Sequence, residues 1–239
     1  MKKIILIVTA FLYCLTATAQ DKNQSKADLV NRAGDHFMVQ LSSDHWIGSN
    51  DSITSHLKGL SRGANVHVML NKPFKSNPSL SVAFGIGVGT SNIYFKNMGL
   101  DIKATGNNFP FNRLDTVNRF KKYKLTTAYL EVPIELRFTA NPQRENKSIK
   151  FALGGKVGTL LNAHTKGKTL QDRTGKTLNS FTAKETSKKF FNSTRMAVTA
   201  RVGYGNFTLF GSYQVNNMFK DVVAPETRLL QVGLCLSGL

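Results

Sequence analysis

A run near the middle of the chain sets two carboxylates and a guanidinium at alternate positions: Leu130-Glu131-Val132-Pro133-Ile134-Glu135-Leu136-Arg137-Phe138. In an extended strand, side chains alternate between two faces. Glu131, Glu135 and Arg137 therefore share one face, and Leu130, Val132, Ile134, Leu136 and Phe138 share the other. Two later extended segments carry Lys150 and Lys156, and Arg195 and Arg201, on their small-residue faces. Burying a charge without a partner costs several kcal/mol, so these groups are expected to pair. The predicted product is a network of Glu131, Glu135, Arg137, Lys150, Lys156, Arg195 and Arg201. Such a network can act as a plug that keeps a narrow tube shut, as a gated ion path, or as an acid/base site. The plug is the preferred reading, because an eight-stranded tube has an interior that side chains just fill.

Other candidate chemistry is weaker. Gly85, Gly87 and Gly89 have the wrong spacing for a dinucleotide fingerprint, and no helix follows them. Gly167-Lys168-Thr169 and Gly175-Lys176-Thr177 end like phosphate loops, but the glycine five positions earlier is replaced by Asn162 and Leu170. They read as two turns of a basic loop. That loop carries Lys166, Lys168, Arg173, Lys176, Lys184, Lys188 and Lys189 against Asp172 and Glu185, a net +5. It is a candidate surface for anionic headgroups, with a solvated charge run as the plain alternative. Five histidines (His36, His45, His56, His67, His164) show no ligand spacing, so no metal or other cofactor is expected. Asp44 and His45 could form an acid/base pair only if the chain bends there, since sequence neighbours in a strand point oppositely. No catalytic residue is assigned, and the protein is read as a non-enzyme.

These groups need a scaffold, and the scaffold is written in strands. Leu80-Ser81-Val82-Ala83-Phe84-Gly85-Ile86-Gly87-Val88-Gly89 has one greasy face and one nearly bare face. The same alternation marks about eight segments, near 36–46, 63–72, 80–94, 123–138, 149–161, 194–204, 206–215 and 228–237. Each approaches the roughly 9–11 residues of a tilted membrane-crossing strand. Connections alternate between short (73–78, 141–148, Gly205) and long (47–62, 96–122, 162–193, 216–227), as in bacterial barrels with short periplasmic turns and long external loops. Pro133 removes a ladder donor, so a bulge or kink is expected there. A soluble ligand-binding barrel is the structural rival. It needs an apolar interior, whereas the small-residue faces here carry Glu, Lys and Arg.

Residues 1–19 read as a cleavable export signal: Lys2 and Lys3, an apolar stretch from Ile4 to Leu15, then Ala17-Thr18-Ala19. Acylation of Cys14 is disfavoured by the bulky Tyr13 before it. Residues 20–34 read as a flexible polar leader and 35–239 as one barrel domain. Mature chain then holds one thiol, Cys235, and no internal disulfide. Lys and Arg number 32 against 14 Asp and Glu, a net +18, which falls to +16 without Lys2 and Lys3. For an exported chain the natural counter-charge is outer-membrane lipid with its anionic headgroups, rather than nucleic acid.

The run Ala128-Tyr129-Leu130-Glu131-Val132-Pro133-Ile134-Glu135-Leu136-Arg137-Phe138 resembles the "YLE-hydrophobic-P" strand of the Bacteroidetes outer-membrane β-barrel family, small porin-like or PorT-like barrels. The likeness extends in layout to the whole mature chain, although Leu239 stands where such barrels commonly end on an aromatic. It implies an eight-stranded antiparallel up-and-down transmembrane barrel in the outer membrane, and one branch of that family assists protein secretion. The expectation is a monomer with a structural or interaction role at the cell envelope. Alternatives are narrow porin-like transport, an accessory subunit contacting other envelope or secretion proteins, and a membrane-embedded hydrolase.

Overall fold

The computed structural model describes residues 37–106, 111–114, 117–220 and 226–238. The export signal 1–19, the leader 20–34 and His36 lie outside the described residues. Among the described residues eleven strands are present: β1 (Phe37–Ile47), β2 (Ser61–Pro73), β3 (Leu80–Phe95), β4 (Met98–Leu100), β5 (Phe111–Arg113), β6 (Arg119–Thr139), β7 (Ile149–Gln171), β8 (Thr177–Thr186), β9 (Thr194–Tyr204), β10 (Phe207–Gln214) and β11 (Arg228–Ser237). One α-helical turn, α1, covers Asp51–Thr54, and a 3-10 turn covers Glu145–Lys147.

Eight of these strands form a closed antiparallel ring, β1-β2-β3-β6-β7-β9-β10-β11, and β11 pairs back onto β1. Closure removes the edges that an isolated sheet would expose. It also sends the two faces of every strand to opposite environments. Large apolar side chains point outward and stay open, with Leu153 69% and Phe207 70% exposed. Polar and small side chains point into the tube, with an apolar group of Met38, Met69 and Phe210 among them. On β6 the outward apolar positions run from Phe138 to Ala128, about 33 Å of strand and about 25 Å of height at the usual tilt. Phe37, Phe138, Phe151, Tyr204 and Phe207 mark the short-turn end of this band with exposed aromatics, the girdle expected at a membrane interface.

Three differences from the sequence expectation have physical causes. First, β6 and β7 run well past the band and continue into a hairpin, with β8 pairing the upper part of β7. The stretch expected as a long loop from 162 is therefore mostly sheet. Gly175, with φ +91°, is a turn residue at the hairpin tip, but Gly167 sits inside β7 opposite Tyr123. Second, Pro133 produces no bulge. Its missing N–H leaves a gap in the β3–β6 pairing between Phe84–Ile134 and Gly87–Glu131 without changing register. The register shift lies higher, where Tyr129 pairs Leu160 and Ala128 pairs Asn162, so that Leu161 is the extra residue. Third, the long connections are not simply polar. They contribute Ile53, Met98, Leu100, Ile102, Phe190, Phe191, Met218 and Phe219 to an apolar cluster that also takes Trp46, Phe95, Leu125, Tyr129 and Leu229 from the ring.

Candidate functional site

The interior closes in two stages. At the long-loop end the apolar cluster caps the tube. Trp46 meets Phe95 and Phe219 edge-on, each at 5.6 Å between ring centres, and Phe191 lies 5.3 Å from Phe219. Such ring geometry adds to the area term that holds the loops down. Lys189 on the hairpin's return clasps the cap from outside. Its Nζ donates to the carbonyls of Ala104, Thr105 and Gly106 at 3.2, 2.9 and 3.2 Å.

Below the cap lies an ionic belt centred on Glu131, which is 1% exposed. Lys156 Nζ is 3.0 Å from its Oε2, His67 Nε2 is 3.2 Å from the same oxygen, and Arg195 Nη1 is 3.3 Å from Oε1. Arg195 also stacks over the Tyr129 ring at 5.4 Å. Gln231 carries the belt onward: its Oε1 accepts from Arg195 Nη2 at 3.0 Å and from Lys156 Nζ at 3.4 Å. Its Nε2 donates to Asp44 Oδ1 at 3.1 Å, and Ser42 Oγ donates to the same Asp44 oxygen at 2.5 Å. Six of the eight ring strands thus supply one connected set of polar groups. β3 contributes space instead: a Cβ on Gly89 would lie 2.7 Å from Glu131 Oε2.

A second cluster sits nearer the short-turn end. Arg201 grips Glu135 with Nη2 at 2.6 Å and Nε at 3.1 Å, and Arg137 Nε donates to Glu135 Oε2 at 3.0 Å. Arg201 Nη1 reaches Cys235 Sγ at 3.6 Å. The concavity at this mouth, bordered by Asn71, Arg137, Lys150 and Arg201, measures about 20 Å³, room for about one water.

The structure thus brings Glu131, Lys156 and Arg195 together, and separately Glu135, Arg137 and Arg201. It does not bring in Lys150. That side chain sits near the rim at the last rung of β6–β7, opposite Thr139, and pairs with Glu145 of the turn at 3.7 Å. The expected network leaves out His67, Asp44 and Gln231. His67 and Gln231 each stand alone among apolar or small neighbours, Asp44 reads only as a partner of His45, and what marks all three is their inward parity. Asp44 points into the belt while His45 faces out and bonds Ser43 Oγ at 3.0 Å, so the two do not form an acid/base pair. Of the basic loop residues, Lys166 and Lys168 lie on β7, Lys184 lies on β8, and Lys176 follows the Gly175 turn. In that turn Asp172 accepts from the Thr174 hydroxyl and from the Thr174 and Lys176 amides, which hold its carboxyl below the usual carboxylate range. Arg173 and Lys188 lie outside the strands, at the tip and on the return.

A closed antiparallel ring with an apolar exterior and a charged, filled interior defines a transmembrane β-barrel. The chain belongs to the outer membrane protein beta-barrel domain family, whose model matches residues 19–218. Its long-loop end is accordingly the external end and its short turns face the periplasm. Among solved structures it is similar to Ail, the attachment invasion locus protein of Yersinia pestis. One is a crystal structure of Ail in complex with the heparin analogue sucrose octasulfate (13% identity, TM-score 0.34) and another is a crystal structure of Ail (11% identity, TM-score 0.34). In each case 84% of this chain and 94% of the other is covered. No curated protein matches the chain.

Proposed function

We propose that this protein is a closed, monomeric, non-enzymatic barrel whose work is done by its outer surface at the cell envelope. The carrying observation is the double closure of the tube: an apolar cap at the external mouth, and beneath it a belt in which three basic groups surround one buried carboxylate. A solute would have to break both, and the periplasmic mouth leaves room for about one water. The external hairpin carries Lys166, Lys168, Arg173, Lys176, Lys184 and Lys188 toward outer-leaflet headgroups, while Lys189 holds the cap. Residues 1–19 supply the export signal in this reading, and the Tyr129–Pro133 motif carries the assignment to the Bacteroidetes barrels. That likeness leaves assistance to protein secretion as the second reading of the surface role.

Conductance tests the proposal. The refolded full-length protein, shown closed by a heat-dependent gel shift in detergent, is expected to give no steady current in a planar bilayer. A stable, voltage-independent current from the unaltered protein would replace the surface role with porin-like transport.

A further inference from the structure

Above the apolar band, the outer wall of β2, β6, β7 and β8 carries cations in register. Lys124 pairs with Lys166, and Lys166 in turn pairs with Lys184, so three ammonium side chains stand side by side on three neighbouring strands. One rung further out, Lys122 faces Lys168; one rung further in, Arg62 faces Asn92. Like charges placed directly opposite across a sheet destabilise it. Among the described residues no carboxylate forms an ion pair with any of these five lysines or with Arg62. Glu185, the nearest acid in sequence, is paired with Thr165 on the opposite face of the hairpin.

Groups beside the ladder record the crowding. His164 lies one rung below Lys166 on the same face. Partial burial, followed by the charges of Lys184, Lys124 and Lys166, holds its imidazole below the usual histidine value. Lys124 is likewise held below the ordinary lysine value, by partial burial and then by Lys166. Lys124 is also positioned: its Nζ donates to Asn92 Oδ1 at 2.6 Å and lies over the Tyr94 ring at 5.7 Å. A row of like charges without a counter-charge is costly in isolation and favourable beside an anion.

We infer that this ladder, centred on Lys124, Lys166 and Lys184, is a binding site for the phosphate groups of a phosphorylated outer-leaflet lipid. The inference rests on the surface role proposed above, and it narrows the site from the whole hairpin to the lipid-facing wall at its base. Position selects a lipid over a soluble anion. Lys124 stands four residues beyond Ala128, the upper end of the continuous outward apolar run on β6, or about 10 Å above the hydrocarbon edge at the usual rise and tilt. The headgroup layer extends about 5–8 Å from that edge, within reach of lysine side chains that bend toward it, and an acyl chain hanging from it would meet Val88, Leu130 and Leu161 directly below.

The test uses the full-length protein in phosphatidylcholine nanodiscs, with and without diphosphorylated lipid A, read by the lipid retained in native mass spectrometry. The unaltered protein is expected to enrich lipid A. The triple variant Lys124→Gln/Lys166→Gln/Lys184→Gln should lose that enrichment about 100-fold, at about fivefold per ammonium near an anionic surface. A tip variant, Arg173→Gln/Lys176→Gln, should keep it, and the gel shift verifies that both variants fold. Equal enrichment in the unaltered protein and the triple variant overturns the ladder; loss in the tip variant alone returns the site to the loop. Release of lipid A by equimolar inorganic phosphate overturns the lipid as the ligand. No enrichment in any form sinks the ladder and the headgroup part of the surface role together, while the conductance result stands apart from both.

Discussion

The cap and the belt close the same tube by opposite physics. The cap gathers Trp46, Phe95, Phe191 and Phe219 from two ring strands and two external loops, and its energy scales with apolar area. Such a cluster degrades gradually, because neighbouring side chains can relax into a gap. The belt gathers His67, Glu131, Lys156, Arg195, Gln231 and Asp44 from six strands. Removing one member strands the others in a low-dielectric interior, so it fails as a unit. The comparison teaches that a narrow barrel can place its specific, all-or-none element on the rigid wall and its adaptable element on loops.

The largest expected effect is therefore in the belt. Glu131→Ala leaves Lys156, Arg195 and His67 facing one another without their common carboxylate, and should lower stability by about 3–5 kcal/mol in urea unfolding from detergent or bilayer. Replacing an aromatic of the cap comes next. Phe219→Ala removes edge contacts to Trp46 and Phe111 and should cost about 3 kcal/mol, with no gain in conductance because the belt still blocks the lumen. A cap variant that costs more than Glu131→Ala would reverse the ranking on which the contrast rests. Gly89→Ala probes the belt from its empty side. The added methyl must push the Glu131 carboxylate off its partners, and a loss of about 1–3 kcal/mol is expected from overpacking. The smallest effect belongs to Lys189→Met, which removes the clasp on the 104–106 carbonyls at an exposed site. Under about 1 kcal/mol is expected, with faster hydrogen exchange confined to that loop; a global loss would show that the cap is less adaptable than its composition indicates.

What could be read along the chain follows the range of the interactions that encode it. Alternation with period two is a property of adjacent residues. The eight ring strands, their inward and outward faces and the ordering of short and long connections were therefore legible from segments such as 80–89 and 128–138. The charges of Glu131, Glu135, Arg137, Lys156, Arg195 and Arg201 carry the inward parity in the same local way. The cap was half-legible: Phe190-Phe191 and Met218-Phe219 are apolar pairs in otherwise polar stretches, and Trp46, Phe95 and Leu125 are apolar at inward positions.

Which of those inward groups meet was decided by tertiary structure. His67 and Glu131 are 64 residues apart, and Asp44 and Gln231 are 187 apart. Their contact depends on the register of every intervening strand pair and on the closure of β11 onto β1. A shift of one residue anywhere in the ring would turn a buried charge outward. Lys150 shows the limit from the other side: its parity is right, but its rung lies at the periplasmic rim, so it pairs with Glu145 instead. The lysine ladder was hidden for the same reason. Lys166 and Lys184 are legible as part of a basic loop, but only the pairing of β6, β7 and β8 sets them in one row with Lys124. The sequence by itself determined which way each side chain points, because that depends on backbone geometry over two residues. The tertiary structure decided at what height it points and what it faces, because those depend on how strands distant in the chain align.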